Sequence, residues 1–388
     1  MTMPPLRLLH VLEATTAGVR RYVTQLLARP PTGWQAEVAC PPVRQAHYGD
    51  TAFVDDVKRL GVPLHQLPLR RSIGPGDARA ARELLALLRR ERFDLLHTHS
   101  SKAGFIGRLA GRAAGVPVVH TPNGLYFLEQ AGLKRGFYLA LEWLAGRAAT
   151  RLIAVSEGER QVVIRHRLAR PDRIRLIENG VDPEAIRAQA NGADAVALWQ
   201  SLGLERAGPL VGGAGRLVPQ KDPLIFVRAA RQVLQTFPGA QFVWCGDGEL
   251  RTEAERLAHE LGVPLRVTGH LENVWAVMRR LDVFVLSSRY EGLPFTLLEA
   301  MALGVPVVAM DVIGARDVLK GTQAGWLVEP CDATTLAQVM SQVLAQPYEA
   351  RCRAETALRL VETRFSIERM LHAHGEVYQE CRSNHPSA

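Results

Sequence analysis

The sequence predicts an α/β fold of two units, each a parallel sheet wrapped by crossover helices. Three observations carry this. Short apolar, β-like runs alternate with stretches of helical periodicity, the pattern of βαβ units. The alternation starts afresh after a weakly periodic stretch rich in turn dipeptides, NGVDPEAIRAQANGADA at 179–195. The 388 residues, 47% of them apolar, suffice for two cores of ordinary domain size.

In the first half, strands are expected at 6–13, 35–40, 64–69, 94–100, 117–121, 151–156 and 173–182. Helical periodicity falls between them at 20–29, 53–61, 78–92, 102–115, 134–149 and 159–168. In the second half, strands are expected at 209–217, 241–248, 264–269, 282–288, 306–311 and 324–330. Helices are expected at 223–237, 249–262, 274–280, 294–304 and 334–346, and a last one at 366–382. The boundaries that follow are 1–182 for the first domain, 183–205 for a linker or hinge, 206–362 for the second domain and 363–388 for a C-terminal helix. In open parallel sheets, ligands bind beyond the carboxyl ends of the strands, so the loops after strands should carry the chemistry.

Composition narrows the class. No apolar run reaches the roughly 18–20 residues of a membrane span, and the N-terminus lacks signal-peptide architecture, so a cytoplasmic protein is expected. The cysteines, Cys40, Cys245, Cys331, Cys352 and Cys381, are scattered, which points to reduced thiols rather than a disulfide framework or metal knuckle. The net charge of +8 is uneven: residues 1–186 hold 27 Lys and Arg against 17 Asp and Glu. A basic first half suits an anionic substrate or membrane surface, or simply reflects Arg-rich composition. No aromatic-interleaved basic motif marks a nucleic-acid binder.

The stretch 288-SRYEGLPFTLLEAMALGVPVVA-309 is the most informative. Pro294 suits the first position of a helix and Gly304 the residue past its end. Glu291 then lies in the preceding loop and Glu299 on the helix. On one continuous helix the two carboxylates would stand about 12 Å and about 80° apart, too far to act as a tight pair. A loop Glu and a helix Glu can instead both face a ligand at the helix N-terminus, where N–H groups favour phosphate and carboxylates accept from sugar hydroxyls. The ordinary alternative is a pair of solvated charges. The loop 212-GGAGRLVPQKDP-223 offers glycines, including Gly215, with Arg216 and Lys221 as a diphosphate grip. It is neither a dinucleotide fingerprint nor a P-loop. A third loop, CGDGEL, contributes Asp247. On the first half, His97 and His99 alternate on a strand and could form half a metal site, without a third ligand evident from spacing. Ser100 and Lys102 follow them. His120 and Asn123 end another strand, and Gly18 lies in the loop after the first.

Taken together these segments resemble the family-4 retaining glycosyltransferases. EGLPFTLLEAMALGVPVVA is similar to the family's E-x7-E signature, and GRLVPQKD, GDGEL, AVSE at 154–157 and ENGVD at 178–182 accompany it in order. The resemblance covers nearly the whole chain. It implies the GT-B fold: two Rossmann-like domains facing a central cleft, with the C-terminal helix returning to the first. It implies that Glu299 holds the ribose of a nucleotide donor and that Glu291 lies at the transferred sugar. Gly292, Leu293 and Pro294 would bring amides to sugar and diphosphate, Arg216 and Lys221 would neutralise the leaving diphosphate, and Gly18 would lie near phosphate and acceptor. Gly215 and Asp247 complete the donor side. His99, Ser100, Lys102 and Asn123 are the acceptor-side candidates. Two departures stand out. HTPNG replaces the family's H-T-x-H-G, so Asn123 stands for a His and His120 carries over only weakly as a catalytic residue. Ala17-Gly18 replaces Gly-Gly.

The implied function is transfer of a sugar from a nucleotide-diphosphate sugar, UDP being the commonest donor in the family, to a glycan or polyprenyl-linked acceptor in cell-surface polysaccharide synthesis. No metal and no cofactor beyond the donor itself are expected. The apolar helix FYLALEWLAG, beside Lys134 and Arg135, would fit peripheral contact with the inner face of an anionic membrane, core packing being the ordinary alternative. A GT-B nucleotide-sugar 2-epimerase and a glycan-binding pseudo-enzyme are the alternatives.

Overall fold

The apolar runs that alternate with helical periods become strands, and the central strands have both faces covered. The computed structural model describes residues 5–43, 51–70, 74, 76–192, 194–204, 208–329 and 332–383. The chain divides into two units, Met1–Asn179 with Glu368–Ala388, and Gly180–Ile367.

The strands of the first unit are β1 (Leu6–Leu12), β2 (Trp34–Cys40), β3 (Leu64–Gln66), β4 (Leu95–His99), β5 (Val118–Thr121), β6 (Arg151–Ala154) and β7 (Ile174–Leu176). The crossovers are α1 (Ala17–Ala28), α2 (Ala52–Arg59), α3 (Gly76–Glu91), α4 (Ser101–Ala114), α5 (Gly132–Gly146) and α6 (Glu157–Arg165). The sheet runs β3-β2-β1-β4-β5-β6-β7, every pairing parallel. The core under α3 and α4 is aliphatic, with Leu9, Leu84, Leu88, Leu96 and Val118 buried.

The second unit opens with α7 (Pro183–Ala190) and α8 (Asp194–Ser201). Its strands are β8 (Leu210–Ala214), β9 (Gln241–Cys245), β10 (Leu265–Val267), β11 (Val283–Leu286), β12 (Val307–Met310) and β13 (Trp326–Val328). Its other helices are α9 (Pro223–Thr236), α10 (Arg251–Glu260), α11 (Val274–Met278), α12 (Phe295–Ala302), α13 (Ile313–Leu319), α14 (Ala333–Ala345) and α15 (Pro347–Thr363). The parallel order is β10-β9-β8-β11-β12-β13. A final helix, α16 (Ile367–Ser383), lies almost wholly in the first unit.

Several expectations need correction. Residues 183–205 are no bare linker: Asp182 caps α7 through the Ala185 N–H, Pro183 starts the helix, and Ile186 and Ala190 bury one face. Trp199 of α8 is buried and its indole N–H donates to the Ala276 carbonyl at 3.1 Å. Both helices therefore join the second unit, which runs from Gly180 to Ile367 rather than 206–362, and the returning helix starts at Ile367 rather than 363. Helices α13 and α15 were not expected; α15 buries Ala350, Ala354 and Ala357, small residues that leave little apolar signal. Pro294 is the extended residue before α12 (φ −75°, ψ 118°) rather than its first helical residue. Gly18 stands inside α1, not in a loop, and the left-handed residue of that turn is Ala17 (φ +52°). Cys40, Cys245, Cys352 and Cys381 are free thiols, while Cys331 lies outside the described residues.

The helix α16 is held to the sheet by polar as well as apolar groups. Met370, His374, Val377, Tyr378 and Cys381 recur at helical spacing and are buried. The Tyr378 hydroxyl shares a 2.7 Å hydrogen bond with His97 Nδ1, and His374 Nε2 shares one of 2.6 Å with the Tyr22 hydroxyl. His97 Nε2 bonds the Thr121 hydroxyl at 2.8 Å, and His10 Nδ1 lies 3.0 Å from His99 Nε2. Glu380 draws Arg151 and Arg175 to the same helix. His10 is the third histidine that sequence spacing left unseen: β1 pairs with β4 so that His10 stands opposite His97. The ligand atoms of His10, His97 and His99 lie within 4.8 Å of one another. Both nitrogens of His97 are nevertheless spent on Tyr378 and Thr121, so the cluster is a hydrogen-bonded joint.

All these imidazoles are fully buried, and burial drives their pKa values down: His10 to about 3, His374 to about 4, and His97, His99 and His120 well below the ordinary value. The unfolded chain binds protons at these five sites from about pH 6.5 downward while the folded chain does not. Stability supported by the neutral rings is therefore complete above pH 6.5 and lost as pH falls toward 4. Buried Glu159, raised to about 7, acts in the opposite sense, one group against five. The expected result is a thermal midpoint that drops steadily between pH 7 and pH 5, before ordinary carboxylates titrate. A flat profile by differential scanning calorimetry over that range would contradict the assignment of neutral buried rings.

Candidate active site

In the second sheet β8 lies beside β11, although β9 and β10 come between them in sequence. This is the point where sheet growth reverses direction, the place beyond the strands' carboxyl ends where open parallel sheets bind ligands. The candidate residues flank it. The loop after β8 carries Gly215, Arg216 and Lys221, and the loop after β11 carries Glu291 to Pro294.

The two loops are tied together. Lys221 Nζ donates to Glu291 Oε1 at 2.5 Å, and Ser288 Oγ donates to the same oxygen at 2.7 Å. Ser287 Oγ donates to the Lys221 carbonyl at 2.8 Å, and Arg289 Nε donates to Asp222 Oδ2 at 2.7 Å. Asp222, at φ +45°, turns the chain and caps α9 through the Ile225 N–H, which leaves Lys221 at the mouth of the loop. The Lys221 and Glu291 side chains are 15% and 8% exposed, so water screens the pair only weakly. Arg216 is half-buried one residue beyond Gly215.

Close backbone approach explains two glycines. Gly246 has φ +147°, and a Cβ there would stand 2.1 Å from the Gly215 carbonyl oxygen. Gly314, at the start of α13, would place a Cβ 2.1 Å from the Gly292 carbonyl oxygen. The glycine of the GDG turn is thus set by its contact with the Lys221 loop, and Gly314 shapes the Glu291 loop from a segment that sequence reasoning passed over. Asp247 accepts from the Arg251 guanidinium at 3.0 Å and from the Gly248 N–H at 2.8 Å, so its carboxylate is committed to the start of α10. Leu293 and Pro294 are buried as they lead into α12, and Glu299, about one turn into that helix, is 3% exposed. A buried carboxylate is not the solvated helix residue that spacing alone allows.

The first unit has its own cluster at strand carboxyl ends. Ala17 after β1, Ser100 after β4 and Asn123 after β5 all adopt left-handed φ values, +52°, +62° and +54°. Such strain in non-glycine residues gathers where surroundings over-determine the backbone, as at functional sites. Ser100 Oγ is buried with no hydrogen-bond partner among the described residues, and Asn123 Nδ2 donates to the Thr121 carbonyl at 3.3 Å. Other candidates turn away. His99 is fully buried against His10. Lys102 Nζ is bound to the Arg70 carbonyl and to Asp77, both at 2.6 Å. His120 lies beneath α4: its ring packs where a Cβ on Gly104 would stand 2.2 Å away, and Nδ1 bonds Thr98. The alternation of β5 explains this, since Thr121 and His120 must face opposite sides of the sheet.

Glu159 was missed. It is 3% exposed and its Oε1 accepts the Gly124 N–H at 2.9 Å while Oε2 accepts the Val155 N–H at 2.8 Å. Burial, only partly offset by those two bonds, pushes its pKa up to about 7. The signal was present as Ser156-x-x-Glu159, a capping-box spacing in which Ser156 Oγ accepts the Glu159 N–H at 3.1 Å.

With this geometry in place, comparison with known proteins is informative. Residues 200–360 match the family model described as "Glycosyl transferases group 1", and residues 17–180 match "Glycosyl transferase 4-like domain". The chain is 34% identical over 276 residues to the UDP-Gal:alpha-D-GlcNAc-diphosphoundecaprenol alpha-1,3-galactosyltransferase of Escherichia coli, covering 69% of this chain and 70% of that one. It is 30% identical over 308 residues to a D-inositol 3-phosphate glycosyltransferase of Saccharomonospora viridis, covering 74% and 70%. In three dimensions it resembles Anabaena Alr3699/HepE solved with UDP, at a TM-score of 0.80 and 20% identity over 97% of this chain and 100% of that one. The fold is GT-B.

The coupling of the two loops can be measured without any substrate. Lys221→Met strands the Glu291 carboxylate in a poorly hydrated place and should lower stability by roughly 2–4 kcal/mol. Adding Glu291→Gln should restore most of the loss. Urea unfolding of both single variants and the double variant gives the interaction energy, and additive losses would show that the pair is not coupled.

Proposed function

The chain belongs to the group 1 glycosyl transferases, and from that membership we propose that it moves a sugar, with retention of configuration, from a UDP-sugar to a glycan or lipid-linked glycan in cell-surface polysaccharide synthesis. The observation that carries the reading is the junction of Lys221 and Glu291 at the β8–β11 reversal, with Glu299 buried on the helix that follows. Uridine is supported by the E. coli relative, named for UDP-Gal, and by the HepE structure with UDP. A lipid-linked acceptor is supported by the diphosphoundecaprenol in that relative's name.

In this proposal Glu299 accepts from the ribose hydroxyls and Glu291 from hydroxyls of the transferred sugar. Amides of Gly292 and Leu293 meet the sugar and diphosphate. Lys221 exchanges its bond to Glu291 for the diphosphate, and Arg216 joins it, so that two cations stabilise the charge that develops on the leaving group. The bond from the anomeric carbon to the diphosphate oxygen breaks as the acceptor oxygen bonds that carbon on the same face. The acceptor proton passes to the departing diphosphate oxygen. His120, sealed beneath α4, is left out of this scheme, as is Asp247 as a direct ligand.

The site of action is proposed to be an anionic membrane face. On α5, Leu133, Phe137, Ala140 and Leu144 are all exposed and fall within about 60° of the helix circumference. Lys134 and Arg147 are exposed beside them, whereas Glu142 is buried against Arg108 at 2.6 Å. An amphipathic face of this kind, apolar with cations at its borders, suits an anionic interface.

Two measurements test the proposal. In thermal shift with UDP, GDP, ADP, dTDP and CMP, UDP at 100 times its dissociation constant should stabilise by about 2.7 kcal/mol. Glu299→Ala should weaken UDP by roughly ten- to a hundredfold. A response to another nucleotide, or an unchanged affinity in the variant, would overturn the donor assignment. In flotation with liposomes containing phosphatidylglycerol, the protein should bind at low salt, and Phe137→Asp with Leu144→Asp should abolish binding. Indifference of the wild-type protein to these liposomes would remove the membrane from the proposal.

A further inference from the structure

Glu159 is a buried carboxylate, and no cation among the described residues pairs with it. Its two oxygens are consumed by N–H groups from two different loops, Gly124 beyond β5 and Val155 beyond β6. The nearest titratable neighbours acting on it are unfavourable: Glu142 raises its pKa, and Glu159 in turn raises that of Tyr22. Burying an acid in such surroundings is costly unless its acceptor capacity is needed. The need is visible in the backbone. Asn123 at φ +54° and Gly124 at φ +105° reverse the chain directly after β5. That turn aims the Gly124 N–H inward, where a carboxylate can take it while also taking the Val155 N–H.

We infer that Glu159 is a positioning residue, whose carboxylate staples the Pro122–Leu125 turn to the start of α6 and so fixes Asn123 for the acceptor. This rests on the acceptor-side reading of the first unit given above. A neutral amide cannot do the same work. In Glu159→Gln one oxygen still accepts an N–H, but the –NH2 meets the other N–H donor to donor. Shape is kept and one of the two staples is lost.

The test uses the full chain with two variants. Glu159→Gln removes one staple. Ser156→Ala removes the cap of the same helix but leaves the carboxylate's bonds intact, and so reports on general loosening of α6. By hydrogen-exchange mass spectrometry, the peptide containing Gly124 or the one containing Val155 should exchange at least tenfold faster in Glu159→Gln, and both as in wild type in Ser156→Ala. With UDP-galactose and a short-chain polyprenyl diphosphate N-acetylglucosamine, Glu159→Gln should raise the acceptor KM about tenfold. Its kcat should change less than threefold and its thermal shift with UDP should match wild type. Unchanged exchange at both Gly124 and Val155, equal exchange in both variants, or an unchanged acceptor KM would overturn the inference. Wild-type protein that transfers to no such acceptor counts against the proposed function, while the exchange arm still decides whether the staple exists.

Discussion

A parallel strand cannot be followed directly by its neighbour; the chain must cross the sheet and start again at the other end. Every strand pairing in both sheets is parallel, so each crossover delivers its next strand in the same direction and each outgoing loop at the same edge. Function therefore collects at one edge of each sheet. Within that edge the strand order singles out one place, where β8 meets β11, because there the flanking crossovers leave in opposite directions. The meeting of Lys221 and Glu291 across 70 residues of sequence follows from this order.

The ion pair at that junction is not a large source of stability. Desolvation offsets much of the attraction in such a pair, so its net contribution is modest even though breaking it from one side is costly. A ligand that offers Lys221 a diphosphate and Glu291 a set of hydroxyls replaces both partners at once, leaving neither charge stranded. The apolar strands beneath, with Val283, Phe284 and Val285 buried, keep the local dielectric low and strengthen whatever interaction takes the pair's place.

The first unit solves a different problem. Its central strands carry His10, His97 and His99 on one face and His120 on the other, all without exposure to water. Neutral imidazoles are tolerated there because hydroxyls of Tyr22, Thr121 and Tyr378 meet several of the ring nitrogens. Tyr378 reaches the sheet, and His374 reaches Tyr22, only because α16 returns after the whole second unit has been built. The first unit is consequently incomplete until the last residues are made. Glu159 belongs to the same economy of buried polar groups, but it is aimed at loop backbone rather than at the helix.

How much was legible beforehand differs between the parts. The alternation of strand and helix, the two-unit organisation and the Glu291–Glu299 stretch could be read directly, because they are local: they rest on periodicity, on Gly and Pro at element ends, and on short motifs. Even the likeness to a family rested on contiguous motifs. The first-half residues were harder. His99, His120 and Lys102 lie beside loops in sequence, yet strand alternation and a neighbouring helix draw them inward to His10, Thr98 and Asp77. Helix α15 hid because alanines bury its face, and α7 and α8 hid because their partners, Ala276 among them, lie far along the chain. The sequence by itself determined the strands and most of the crossover helices, their parallel arrangement and the chemistry available at the strand ends. Only the tertiary structure decided which polar side chains face a ligand and which are consumed inside, since strand order and crossover packing set those distances and neither is a local property of the chain.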